Sequence, residues 1–296
     1  SVEEAKIKIE DFNSPIVVKS DGLAAGKGVT ICQTKNQALK DIGEILKGKF
    51  KSSQKVIIEE FLDGEEASYF VITDGKNFKQ IGTAQDHKKI GEGDVGLNTG
   101  GMGAYSPSLL INEEVEKKII KKIIIPTLRG MNEIGCTYKG ILYAGLMIKN
   151  NEPKLIEYNI RFGDPECQVL MMRLKDDLVE IINSSINNNM DTKKLNWSLK
   201  PSITIVAASN GYPENFETNT EIKDIPIDLA NKNEQIFHAG TRKKDNKIYS
   251  NGGRVLSSTV TLDTLIDSRN RALELLDKIN WKNKYYRRDI GWRAIK

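Results

Sequence analysis

Cysteine, histidine and long apolar runs are all scarce in this chain of 296 residues. The three cysteines, Cys32, Cys136 and Cys167, are odd in number, far apart and form no CxxC pair. That speaks against a disulfide framework or a zinc ribbon and for a reducing cytosol. Two histidines, His87 and His238, are too few for a multi-histidine metal centre. No apolar run approaches the ~20 residues that span a bilayer, and the opening SVEEAKIKIE lacks the pattern of a signal peptide. A cytoplasmic location without a membrane partner is therefore expected. Basic charge is also thinly spread: net charge is +4, and the lysines and arginines do not cluster, which argues against a nucleic-acid face. No obligatory protein partner is evident either.

What is present reads as a folded globular chain, with 28% charged and 39% apolar residues and enough length for two or three domains. Short β-rich runs at 16–19 and 29–32 flank a glycine-rich loop. Residues 35–47 carry helical periodicity, and 56–61 is a further strand. Residues 67–75 and 79–86 predict a hairpin about Gly75. Residues 90–107 read as one long irregular segment, of the kind that tends to be functional. A lysine-rich helix is predicted over 112–131. Strands at 141–149 and 154–162 are joined by Asn150-Asn151-Glu152-Pro153. Asp164 and Pro165 then predict the cap and first turn of a helix running to about residue 188. A polar linker is expected over 187–199, then a third unit of short strands and turns closed by a helix near 262–279.

Several strings carry chemistry. VVKSDGLAAGKGV (17–29) combines a strand, Lys19, and a glycine/alanine loop holding Gly26, Lys27 and Gly28. Glycines let backbone N–H groups approach phosphate oxygens, and lysines add point charges. It is not a Walker A loop: Gly22 to Gly26 is one residue short, and Gly28 stands where Ser/Thr is needed. GEGDVG (91–96) matches G-x-G-x-x-G literally, but no apolar strand directly precedes it and LNTGG cannot open a helix, so it is read as a glycine loop. Glu59 and Glu66 lie across the Gly64 turn, either as solvated acids or as partners of an adenine amino group and ribose hydroxyls. In LIEYNIRFGDPECQ (155–168), strand alternation places Glu157, Asn159 and Arg161 on one face. A carboxylate and an amide oxygen two residues apart suit Mg²⁺, which takes few protein ligands and completes its shell with phosphate oxygens; a solvent-facing polar strand is the plainer alternative. Asp86, His87 and Lys88 stand at the mouth of the long loop, where His87 is read as structural.

In order, VVKSDGLAAGKGV, EEFLDGEEAS, AQDHKKIGEGDVGLNTGGMGAYSP, EYNIRFGDPECQ, HAGT and NGGRVL resemble the phosphoribosylamine–glycine ligases, ATP-grasp enzymes of de novo purine synthesis. The resemblance implies an α/β (α+β) ATP-grasp fold. It implies a small β-rich lid subdomain (1–74), a central core subdomain with the metal strand (75–195) and a β-rich C-terminal domain (196–296), without the family's N-terminal domain. It implies ATP as co-substrate and Mg²⁺ or Mn²⁺ as cofactor, with glycine and 5-phosphoribosylamine as small-molecule partners. Lys19, Gly26, Lys27 and Gly28 would face phosphates. Glu59, Glu60, Phe61 and Leu62 would receive adenine, and Glu66 the ribose. Glu157 and Asn159 would hold the metal, and Arg161 would act in catalysis. Asp86, Lys88, Asn98, Thr99, Gly100, Asp164, Thr241, Arg242 and Arg254 are further substrate candidates. The implied activity is glycine ligation through glycyl phosphate; a different ATP-grasp carboxylate–amine ligase, or a fragment that binds nucleotide without turnover, are the alternatives. Cys167 and Ser20 stand where the family usually has threonine and alanine.

Overall fold

A computed structural model describes residues 1–22, 28–50, 55–226 and 232–295. The chain divides into two compact units, Ser1–Asp63 and Gly64–Lys296.

The first unit opens with helix α1 (Val2–Lys8), where Ser1 and Glu4 form a capping box that satisfies otherwise orphaned N–H groups. Strands β1 (Ile16–Ser20) and β2 (Val29–Cys32), helix α2 (Lys35–Glu44) and strand β3 (Val56–Glu60) follow. The three strands form a sheet in the order β2-β1-β3, antiparallel throughout. Ile16 and Val18 pack with Ala38, Ile42 and Ile45 on its covered face.

The second unit is organised by a nine-stranded sheet. Strands β4 (Glu65–Thr73) and β5 (Phe78–Asp86) are the predicted hairpin. The segment read as irregular contains three short strands, β6 (Lys89–Gly91), β7 (Val95–Asn98) and β8 (Gly103–Ser106). Alternation over so few residues is too weak a signal to read against glycine. A continuous helical stretch covers 113–133 as α3 (Glu113–Ile119), a wider π-type turn at 120–124, and α4 (Ile125–Glu133). Strands β9 (Gly140–Lys149) and β10 (Glu152–Asn159) are joined by Asn150-Asn151, both at positive φ, the geometry of a two-residue hairpin turn. Pro153 is tolerated because β10 is the sheet edge.

The helix expected from 165 to 188 is broken. It forms α5 (Glu166–Arg173) and α6 (Leu178–Ile186), the second capped by Asp177. Asp164 caps neither; its Oδ1 accepts from Gln168 at 3.3 Å. The expected linker is not a free tether: Met190 is fully buried, and Trp197 bridges Leu174 and packs against the core.

Strands β11 (Ser202–Ser209), β12 (Glu221–Ile222), β13 (Glu234–His238), β14 (Thr241–Lys244), β15 (Lys247–Ser250) and β16 (Arg254–Thr261) precede helix α7 (Leu265–Lys278) and the short strand β17 (Lys284–Tyr285). The large sheet runs β10-β9-β4-β5-β8-β11-β16-β13, with β17 beside β11. Apolar residues of β4 and β9 meet Val115, Ile119 and Leu128 on one face, while Phe70, Ile81 and Tyr143 meet Val169, Leu170 and Ile181 on the other. Helix α7 packs on β11 and β16. Among the described residues no helix is long and apolar enough to cross a membrane.

Candidate active site

In the first unit, β1 and β3 are in a register that places Val17 opposite Glu59 and Lys19 opposite Ile57. Lys19 and Glu59 are therefore diagonal neighbours on one face, and Lys19 Nζ lies 2.6 Å from Glu59 Oε2. The Ser20 N–H donates to the Gly28 carbonyl at 2.8 Å across the glycine loop. Gly26 and Lys27 lie outside the described residues. Glu60 and Phe61 follow at the exposed end of β3, and Leu62 is half-buried.

In the second unit, the metal-strand pair is laid out as alternation requires. Tyr158 turns into the core beside Val115 and Ile119 and pairs its hydroxyl with Thr127. Glu157 and Asn159 turn the other way, with the Asn159 amide donating to Glu157 Oε1 at 3.2 Å. The other carboxylate oxygen of Glu157 and the amide oxygen of Asn159 are hard donors of the kind Mg²⁺ takes when phosphate supplies the rest of its shell. Among the described residues no cluster of three acids, histidines or cysteines could hold a metal by itself. Arg161 lies beyond the strand, so alternation does not place it on this face. The strand ends at Asn159, Ile160 is exposed, and the Arg161 guanidinium folds back to donate to the Phe162 carbonyl at 2.8 Å.

The substrate candidates converge at a second place. Arg254, at the head of β16, donates through Nη1 to the carbonyls of Gly100 and Asp164, each at 2.8 Å, and through Nη2 to Asp164 Oδ2 at 2.9 Å. Glycine is required where these strings meet: a Cβ on Gly100 would lie 2.9 Å from Arg254 Cζ. One on Gly101, at φ +114°, would lie 2.7 Å from Asp86 Oδ1 and collide with Pro165. Asp86 Oδ1 is buried without a hydrogen-bond partner. Burial, reinforced by the nearby Glu166, pushes the Asp86 carboxyl well above its ordinary range, although Lys88 pulls the other way. Lys88 Nζ donates to Glu66 Oε2 at 2.6 Å. Burial opposes the charge on Lys88, but Glu66, Asp86 and Glu157 outweigh it and hold the ammonium above its usual value. Thr99 donates its N–H and its hydroxyl to the Lys88 carbonyl, at 2.7 and 2.8 Å. Asn98 ends β7 opposite Lys89.

Thr241 and Arg242 sit in a separate three-stranded sheet, β12-β15-β14. Thr241 Oγ1 pairs with His238 Nδ1 at 3.0 Å and Arg242 donates to Asn219 at 2.6 Å, so neither side chain joins the Arg254 group. The string before them does: the Gly240 N–H donates to the Arg254 carbonyl at 3.0 Å.

Sequence reasoning missed Glu166, buried and accepting from Ser68 (3.2 Å) and Tyr143 (2.9 Å); a Cβ on Gly163 would collide with its carboxylate. It also missed Tyr212, whose hydroxyl accepts from the Gly100 N–H at 3.0 Å. A hollow of about 430 Å³ beside Phe78, Ile125 and Leu128 contains none of the candidate residues.

Residues 1–167 match the phosphoribosylglycinamide synthetase ATP-grasp (A) domain, and residues 202–293 match the C domain of the same family. The chain belongs to the phosphoribosylglycinamide synthetase family. It is 48% identical to phosphoribosylamine–glycine ligase of Brucella melitensis, covering 99% of this chain and 69% of that protein. Its likeness to the Pasteurella multocida enzyme of that name is 47%, again over 99% and 69%. A crystal structure of the Thermotoga maritima phosphoribosylamine–glycine ligase superposes with TM-score 0.88 at 35% identity, covering 98% of this chain and 72% of that one. The biotin carboxylase domain of Hydrogenobacter thermophilus 2-oxoglutarate carboxylase, at 16% identity and TM-score 0.72, covers 97% of this chain and 61% of that one and shares the fold. The α/β ATP-grasp assignment thus holds, and ligases of this fold use ATP and divalent metal ions.

Proposed function

We propose that this chain ligates glycine to 5-phosphoribosylamine at the expense of ATP, giving glycinamide ribonucleotide, ADP and phosphate, as a step of de novo purine biosynthesis. The observation that carries the reading is the meeting of Arg254, Asp164 and Asp86 at a turn lined by Gly100 and Gly101, in a chain of this family.

A free carboxylate is a poor acyl donor, so it must first be activated. A glycine carboxylate oxygen attacks the γ-phosphorus of ATP; the bond to the β–γ bridging oxygen breaks and ADP leaves. The amine nitrogen of phosphoribosylamine then attacks the acyl carbon, the bond to phosphate breaks, and the nitrogen loses a proton. Positioning and charge neutralisation do most of the work in such a transfer. Lys19 and Lys27 hold phosphate oxygens, with the Glu59 carboxylate keeping Lys19 in place. The backbone of Glu60, Phe61 and Leu62 receives adenine, and Glu66 the ribose. Glu157 and Asn159 would hold Mg²⁺, or Mn²⁺, which would neutralise phosphate charge there. Arg254 attracts the glycine carboxylate, while Asp86 and Asp164 take its ammonium group. Arg161, beyond the end of β10, turns from the Phe162 carbonyl to the developing phosphate charge. The inert Cys167, whose thiol burial pushes up to about 11, has no part in the reaction.

The test is ADP release by the purified enzyme with ATP, Mg²⁺, phosphoribosylamine and a panel of small amino acids. Release that depends on glycine and yields glycinamide ribonucleotide supports the reading. Release that another carboxylate drives equally well, or that ignores glycine, overturns it.

A further inference from the structure

Among the described residues, strands β6 and β7 pair only with each other and are not joined to the large sheet, and all four residues of β7 are exposed. A lone two-stranded hairpin is marginal in water. Yet its two feet stand in the candidate site: Lys88 on one side, Thr99, Gly100 and Gly101 on the other. Something else must hold it.

That support is the last described segment of the chain. Arg287 is fully buried. Its Nε and Nη2 fork onto Asp289 at 2.8 and 2.7 Å, and its Nη1 donates to Asp94 Oδ1 at 2.8 Å and to the Lys89 carbonyl at 3.0 Å. Asp94, at positive φ in the hairpin turn, accepts on its other oxygen from Trp292 Nε1 at 3.0 Å and pairs with Arg293 at 2.8 Å. The Gly93 N–H donates to Asp289 at 2.7 Å, the Arg288 N–H to Glu92 at 2.9 Å, and the Tyr285 hydroxyl to the Ile90 carbonyl at 2.8 Å. The Gly291 N–H donates to His87 Nε2 at 3.1 Å. Between His87 and Asp94, the segment 285–293 thus reaches six residues of the hairpin and its foot. Bidentate arginine–carboxylate geometry fixes orientation as well as distance, and a buried guanidinium tolerates no loss of partner.

We propose that residues 285–293 form a latch, with Arg287 as its positioning residue, that sets the place of the Thr99–Gly101 turn against Arg254 and so governs amino-acid binding. The hydrogen bonds of the latch go to the hairpin and its foot, so it acts through the hairpin. The role in amino-acid binding rests on the reading of the Arg254 turn as the glycine site, whereas the mechanical claim does not.

The experiment measures steady-state kinetics and amide hydrogen exchange on Arg287→Met, Arg287→Lys, Asp289→Asn and Trp292→Phe of the whole protein. Arg271→Gln, which breaks the fork from α7 to Glu234, is the stability control. In the latch variants the amides of Gly93, Thr99 and Gly101 should exchange at least tenfold faster, while those of β4 and β9 hold their rates. The KM for glycine should rise about tenfold in Arg287→Met and a few-fold in Trp292→Phe, with KM for ATP within twofold, and Arg287→Lys should recover part of the loss. Arg271→Gln should leave the glycine KM unchanged. Should Arg287→Met fail to fold, the milder Trp292→Phe and Asp289→Asn decide. Unchanged exchange at 93–101 in the folded latch variants overturns the latch, whether or not glycine is the substrate. Faster exchange with glycine and ATP KM rising together, or with the control behaving alike, overturns its role in amino-acid binding. If the unaltered enzyme releases no ADP with glycine, the fault lies with the functional reading, and the exchange result still tests the latch.

Discussion

The end of β10 and the turn around Arg254 are both polar, and they are built in opposite ways. At β10, Glu157 is exposed and accepts a hydrogen bond from the Asn159 amide. At the Arg254 turn the guanidinium commits Nη1 to the carbonyls of Gly100 and Asp164 and Nη2 to the Asp164 carboxylate. On the function proposed, the first place is completed by its ligand, whereas the second is already cross-braced and offers a ligand the charge that remains. Substitutions at the first should therefore cost activity without stability, and at the second both.

The largest contrast is expected from Glu157→Gln. It keeps the side-chain shape and removes the charge a hard cation needs. Turnover should drop by about a thousandfold or more, with Mg–ATP affinity weakened in calorimetry and the melting temperature unchanged. A variant of full activity would remove the metal assignment. Next, Arg254→Met should raise the glycine KM about a hundredfold and cost about 1–2 kcal/mol in denaturant unfolding, because carbonyls lose a charged donor in a partly solvated setting. A pure activity effect there would erase the distinction between the two places. Third, Gly101→Ala forces a Cβ against Pro165 and Asp86 at a backbone angle alanine dislikes. About 2 kcal/mol of stability should go, with glycine binding weakened and ATP binding kept.

The smallest effect is one of pH. Burial, aided by the positive charge of Arg287, lowers the pKa of His87 to about 4; Arg293 adds to this, and Asp94 and Asp289 oppose it. The unfolded chain, with its ordinary value of about 6.5, takes the proton first. Stability from this group is therefore whole above about pH 6.5 and is lost as pH falls toward 4, by about 1 kcal/mol per unit. Urea unfolding from pH 7 to 4.5 should show a steeper decline in the parent protein than in His87→Gln. Parallel declines would mean His87 does not titrate as a buried neutral ring.

Much of this is legible in the amino-acid sequence. The placement of Glu157 and Asn159 follows from two-residue periodicity, and the β4–β5 and β9–β10 hairpins follow from Gly75 and the asparagine pair. The break between α5 and α6 is hidden because LKDDLVE reads as good helix. Only the burial of Arg173, hydrogen-bonded to Ser106 and to the carbonyls of Ser198 and Lys200, shows why the chain must turn. Strand β10 is read three residues too long because alternation carries past its true end at Asn159. Glu166 and Arg287 are invisible for a common reason: each also has a partner far off in the chain, Ser68 at 98 residues and Asp94 at 193, and no local pattern marks a charge that will be buried.

Strand β8 has one further implication. It lies between β5, within the part that matches the A domain, and β11, within the part that matches the C domain, and it pairs main chain to main chain with both. The border between the two matched regions is thus crossed not by side-chain contacts alone but by a row of shared backbone bonds, Gly103 through Ser106 against Ser202 through Ile205. Hinging there would have to break those backbone bonds. A protease cut within 187–199 would leave two pieces that stay together through a gel-filtration column, and separating them would expose a raw strand edge ready to aggregate.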